Sequence, residues 1–197
     1  MKRAVVAMIA AVLLLAQTGI LDAATSKSFN LTATVQPASS VSINASRVNS
    51  DGTFTALSTT ALSFDTMTYN TQYSVFMPDH SFAIDVSAAG AGSITTVVTY
   101  TEGSKPTGAL KGLGGASYAT FVKAVNSATP EVKLASKALT GLNETITPTQ
   151  ISGGYLRVYL GVSTGDTTKE PTGVAPFTAL DKTGSYDGTV TFTVTVA

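Results

Sequence analysis

Asp79, His80 and Ser81 bring together the three side-chain types of a hydrolytic triad, and His80 is the single histidine of the chain. A triad works when its members converge from separate elements. Three consecutive residues cannot converge, and after Pro78 the trio reads as a turn carrying a loop histidine. One histidine and no cysteine argue against a His-rich zinc site and exclude Cys-based metal sites and thiol chemistry. Oxygen-bearing residues cluster in Asn49 to Thr53 (NSDGT) and in Asp181 to Gly188 (DKTGSYDG). Neither run follows the pattern of a calcium-binding hand, and Asp-Gly is first a turn signal. The glycines of Gly112 to Ser117 (GLGGAS) lack the spacing of a dinucleotide or phosphate loop, so the run reads as flexible loop. Sequons at Asn30, Asn44 and Asn143 arise readily in a chain this rich in Ser and Thr. No carboxylate pair and no nucleophile with its base can be nominated. The expectation is a protein that is not an enzyme, with no cofactor and no metal, whose function resides in its strands.

The elements that must carry that function follow from composition. Lys2 and Arg3, then the apolar run Ala4 to Leu15 and small residues at Ala23 and Ala24, have the layout of a secretory signal peptide. An uncleaved anchor is the alternative, but the run of twelve apolar residues falls short of the roughly 20 needed to span a bilayer. Cleavage near Ala23 or Ala24 leaves about 174 residues, with ten basic and eleven acidic side chains. That length suffices for one domain with its own core. The balanced charge offers nucleic acid or an anionic membrane little to hold. Without cysteine, an exported domain must be held by burial and hydrogen bonding alone.

Thr, Ser, Val, Ala and Gly dominate, and short apolar or alternating runs recur between Gly, Pro, Asn, Asp and Ser clusters. This predicts an all-β sandwich. The clearest strands are Phe29 to Val35, Tyr73 to Met77, Phe82 to Val86, Ile94 to Tyr100, Tyr155 to Val162 and Thr189 to Val196. In the last, Val190, Phe192, Val194 and Val196 alternate with threonines and are expected to face the core. Along Tyr155 to Val162, Leu156, Val158, Leu160 and Val162 form one face and Tyr155, Arg157 and Tyr159 the other. Residues 114–130 fit either a short helix at Tyr118 to Val125 or a strand. Glu102 to Gly115 and Gly165 to Phe177 read as loops. Near the mature N-terminus, Phe29, Leu31, Ala33 and Val35 share one face of an extended strand opposite Ser28, Asn30, Thr32 and Thr34. So regular a strand is unexpected where chain ends usually fray.

The run Lys27-x-Phe29-x-Leu31-Thr32-Ala33-x-Val35-x-Pro37 resembles the N-terminal extension of major pilins of the alternate chaperone–usher class, the colonisation-factor type fimbriae of Gram-negative bacteria. The closing Gly184-Ser185-Tyr186-x-Gly188-x-Val190 run, continued as a strand, is similar to the end of the same pilins, as is the absence of cysteine. The resemblance spans about a quarter of the chain, at its two ends. It implies an immunoglobulin-like sandwich lacking one strand, completed by a donor strand from a neighbouring subunit. It divides the chain into signal peptide (1–23), donor strand (24–37) and pilin domain (38–197), with Phe29, Leu31, Ala33 and Val35 as the inserted side chains. It implies identical subunits joined head to tail in a filament, a periplasmic chaperone, an outer-membrane usher, a tip adhesin, and a place in a fimbrium at the cell surface. In an isolated subunit the residues before Val35 are expected to project away or to fold back into their own groove. A secreted carbohydrate-binding sandwich using Tyr155 and Tyr159, and a biofilm-matrix fibre protein that assembles without an usher, are the alternatives. A β-sandwich hydrolase would need the constellation that is missing.

Overall fold

A computed structural model describes residues 30–34, 40–89, 93–125 and 130–196. They form an almost entirely β structure in which two sheets face each other across one apolar core. In chain order the strands are β1 (Asn30–Thr34), β2 (Ser40–Asn49), β3 (Phe54–Leu57), β4 (Thr68–Asn70), β5 (Val75–Met77), β6 (His80–Ala89), β7 (Ile94–Glu102), β8 (Ser117–Ala124), β9 (Val132–Ala138), β10 (Asn143–Ile146), β11 (Tyr155–Val162) and β12 (Gly188–Val196). One sheet has the order β1-β12-β7-β10, the other β3-β2-β6-β11-β8-β9, and β4 pairs with β5 in a separate hairpin. The leader, Phe29 and Val35 lie outside the described residues.

Alternation produces the two inner faces. Val190, Phe192, Val194 and Val196 of β12 are buried, whereas Thr193 and Thr195 are exposed. On β11, Leu156, Val158, Leu160 and Val162 are buried against Phe82, Ile84 and Val86 of β6 and Phe121 of β8. The ambiguous central segment is strand β8, preceded by one helical turn, α1 (Leu113–Ala116). Its alternation breaks at Phe121 and Val122, both buried, where the pairing with β9 shifts register. The extra residue is Leu134 of β9, between the partners of Phe121 and Val122, whereas β8 keeps an unbroken register with β11 that sets Val122 opposite Arg157.

The last four residues of the run from Glu102 to Gly115, Gly112 to Gly115, are not an exposed loop. Leu113 and Gly114 are buried, and the Glu102 carboxylate accepts hydrogen bonds from their amides at 2.8 and 3.0 Å. The glycines of GLGGAS permit this close approach. A Cβ on Gly112 would strike that carboxylate, and one on Gly114 would meet the Tyr100 ring.

The sandwich has two distinct ends. β6 ends at Ala89, β7 begins at Ile94 opposite Val196, and β2 begins at Ser40 opposite Ala89, so all lie at the Val196 end. Gly188 pairs with Glu102 at the opposite end.

Thr96 on β7 is fully buried between Val194 and Ile146, and among the described residues its hydroxyl has no hydrogen-bond partner. Valine has nearly the same shape without the polar atom. Thr96→Val should therefore raise stability by about 1 kcal/mol or more, visible as a higher denaturation midpoint at unchanged m-value. An unchanged or lowered midpoint would show that the hydroxyl is satisfied.

Candidate functional site: the edge of the C-terminal strand

β12 joins β7 on one side and β1 on the other. β1 runs parallel to β12 with Asn30 opposite Thr191, Leu31 opposite Phe192, Ala33 opposite Val194 and Thr34 opposite Thr195. The N-terminal strand of the isolated chain is thus laid along its own C-terminal strand. Because these two strands come from opposite ends of the sequence, their parallel pairing needs no crossover helix. Among the described residues, β1 occupies the sheet edge and pairs with β12 alone. Without it, β12 would present an unpaired row of amides and carbonyls between Thr191 and Thr195, directly over the buried Phe192 and Val194. Of the residues expected on a donor strand, Leu31 and Ala33 stand in this register. The structure does not describe Phe29 or Val35.

At the Gly188 end a cleft of about 580 Å³ opens beside the start of β12, lined in part by Phe64, Met67, Phe76, Phe177 and Tyr186. Its polar rim includes Asp181 and Asp187, the carboxylates of the oxygen-rich run. Both serve the fold. Asp181 binds Lys111 at 3.0 Å and the Thr178 amide at 2.8 Å, and Asp187 accepts the Ser104 hydroxyl at 2.6 Å. Likewise Asp51 and Gly52 turn the β2–β3 hairpin, with Gly52 at φ 81° and the Thr53 amide donating to Asp51 at 2.9 Å.

His80 is not a loop residue. It opens β6 and is only 6% exposed. Its Nε2 donates to the Ser63 carbonyl at 2.9 Å, Nδ1 meets the Asp79 carboxylate, and its ring packs edge-on to Phe82 at 5.0 Å. The contacts tie the segment before β4 to the sheet.

The outer face of β11 carries a cluster that spacing did not reveal. Strand pairing sets Arg157 opposite Asp85, and the guanidinium grips that carboxylate through two bonds of 2.6 and 2.8 Å. It also donates to Glu131 at 2.8 Å and to the Tyr155 hydroxyl at 3.0 Å, and it lies 4.7 Å from the centre of the Phe54 ring. The Tyr159 hydroxyl donates to Glu131 at 2.8 Å. The Asp85 hydrogen bonds, foremost, hold the Arg157 proton more tightly than usual. Burial, followed by the hydrogen bond to Glu131, pushes Tyr159 up to about 12. A raised folded-state value stabilises the protein fully below the unfolded value, about 10 for tyrosine, and is lost as pH rises towards the folded one. Stability should therefore fall between about pH 10 and pH 12, and Tyr159→Phe should flatten that fall in alkaline denaturation curves. An identical slope in the variant would separate Tyr159 from the effect.

No family model, curated protein or solved structure matches the chain.

Proposed function

We propose that the chain is the structural, repeating subunit of an adhesive surface pilus and that it polymerises by lending its N-terminal strand to a neighbour. In this reading the body is an incomplete immunoglobulin-like sandwich, and Phe29, Leu31, Ala33 and Val35 are the lent side chains. Export, a periplasmic chaperone, an outer-membrane usher and a tip adhesin come with the resemblance of the two chain ends to colonisation-factor type pilins. The observation that carries the reading is β1 itself. It is a terminal strand held along a single edge, on a β12 whose buried side chains need cover. A strand of that kind can be exchanged between copies without rebuilding the rest of the sheet. The carbohydrate-binding alternative draws less support, because Arg157 and the hydroxyls of Tyr155 and Tyr159 are already engaged with one another or with Asp85 and Glu131.

Head-to-tail growth sets a condition on strand direction. β1 ends opposite Thr195, near Ser40 at the Val196 end. A β1 lent in that same parallel direction brings the lender's Val196 end to the acceptor's Val196 end, and two copies then satisfy each other in a closed pair. An open filament instead requires the lent strand to run antiparallel to β12, so that the lender's body sits at the acceptor's Gly188 end.

Deleting Lys27 to Val35 tests the reading. The full chain should give a ladder of oligomers on unboiled denaturing gels that collapses to monomer on boiling, because releasing a strand that completes a core requires partial unfolding. The deletion should give no ladder. A ladder that survives the deletion would refute strand lending.

A further inference from the structure

The ring of His80 has an oxygen at each nitrogen. Nε2 faces the Ser63 carbonyl at 2.9 Å, and Nδ1 faces the Asp79 carboxylate. A carbonyl can only accept a hydrogen bond, and so can an ionised carboxylate. A ring that donates to both therefore carries two protons, whereas a neutral ring has only one to give. The ring is packed edge-on to Phe82 at 5.0 Å and lies 6.2 Å from Phe64. With His80 only 6% exposed, water has little access to a nitrogen that loses its partner. The charged groups around it are Asp79, Arg47 of β2, which donates to Asp79 at 2.9 Å, and Asp65, 3.9 Å from Arg47. A doubly protonated His80 and Arg47 balance the two carboxylates.

Ser63 belongs to a wall of the 580 Å³ cleft, which residues 63–67 line along one side. That wall is a tight turn. Asp65 stands at φ 53°, in the left-handed region that residues with side chains visit seldom, and its amide donates to the Ser63 hydroxyl at 3.0 Å. The bond from His80 to the Ser63 carbonyl fastens the start of this turn to β6.

We propose that His80 is a pH-operated latch on the cleft wall: doubly protonated it holds Asp79 and Ser63 together, and on losing a proton as pH rises it keeps Asp79 and releases Ser63. The remaining proton stays on Nδ1, because a hydrogen bond to a carboxylate is stronger than one to a neutral carbonyl. Nε2 then turns a lone pair towards the Ser63 oxygen. Two acceptors facing each other without water are unfavourable, and the turn moves away. Leu62 and Phe64 keep their buried seats, so the change is a widening of the cleft at residues 65–67 and not an unfolding. On the acid side the His80 hydrogen bond, foremost, holds the Asp79 carboxyl below the usual carboxylate range, so the latch stays closed until the pH falls far enough to protonate it. The latch acts within one subunit and does not depend on strand lending.

Nuclear magnetic resonance on the full chain tests this, since its single histidine gives one ring signal. From about pH 5 to pH 9, a range that spans histidine titration, the ring should pass from two N–H groups to one, on Nδ1. The hydrogen-exchange protection factors of the Asp65 to Met67 amides should fall about tenfold with the same midpoint. Asp79→Asn is the decisive variant, because Asp79 is largely exposed and an asparagine amide can donate to Nδ1. The neutral ring then keeps its proton on Nε2 and on Ser63, so protection should stay high across the range. Protection that is flat through the parent's ring titration, a neutral ring protonated on Nε2 in the parent, or an Asp79→Asn wall that loosens at the parent's pH would each overturn the latch.

Discussion

Leu31→Asp should abolish fibres while leaving the subunit soluble and folded. Leu31 is the central large residue of the N-terminal strand, and its register position lies beside Phe192, which is fully buried. In a lent strand this position meets the neighbour's open core. A carboxylate there must either lose its hydration without a partner or bind a proton, and each route costs several kcal/mol. That is comparable to the burial contribution of the few large side chains the strand supplies, at about 1.5–3 kcal/mol apiece. The subunit's body should survive, because β1 contributes to it along one edge only. Thr32→Asp is the matched control. Thr32 alternates with Leu31 along the strand, so the same charge is placed one residue away on the other face and should reduce fibre yield far less. Surface fibres and soluble subunit are measured together. Equal fibre yield and equal resistance to dissociation in Leu31→Asp and parent would return β1 to the role of an ordinary edge strand.

What could be read from the sequence follows from where each strand sits in its sheet. Phe82 to Val86, Ile94 to Tyr100, Tyr155 to Val162 and Thr189 to Val196 lie inside the sheets and bury one face, and this writes apolar residues at alternate positions, with Thr96 the exception. The strands that went unread are mostly at edges or short. β3 is largely exposed, and β9 carries Lys133 and Lys137 on its exposed positions. Edge strands need few apolar residues and favour charge, which erases the alternating signal. β2 is long but covers the core with half-buried Val41, Ile43 and Ala45 before Arg47 ends the pattern. The site features missed for a different reason. Arg157 finds Asp85 across 72 positions, and Ser104 finds Asp187 across 83. Pairings of that reach exist only once the sheet order is known, and nothing in local spacing announces them. His80 was misplaced because Pro78 and Asp79 look like a turn, whereas β6 starts immediately after them.

The second large effect is expected at Phe192. Its side chain is fully buried at the middle of β12, flanked in the sheet by Val98 of β7 and by the register position of Leu31 on β1. It therefore lies beside the sheet edge that β1 occupies. Phe192→Ala should cost about 3–5 kcal/mol, since the lost transfer energy is joined by the cavity left behind. Against a total of about 5–15 kcal/mol for a domain, that is a substantial share. Thr193→Ala, one residue along and exposed, should fall within about 0.5 kcal/mol of the parent. The urea midpoint reports both, with the m-value checking that the unfolding transition is still the same one. A loss below about 1 kcal/mol would mean that the core beside β12 collapses onto the gap. Because the same cavity underlies the edge on which β1 rests, Phe192→Ala should also loosen whichever strand occupies that edge. In a fibre this would lower the temperature at which subunits dissociate, and the shift should come from the acceptor. Mixing wild-type and variant subunits separates the two sides. A wild-type strand on a Phe192→Ala acceptor should dissociate early, while a variant subunit lending its intact strand to a wild-type acceptor should hold as firmly as the parent.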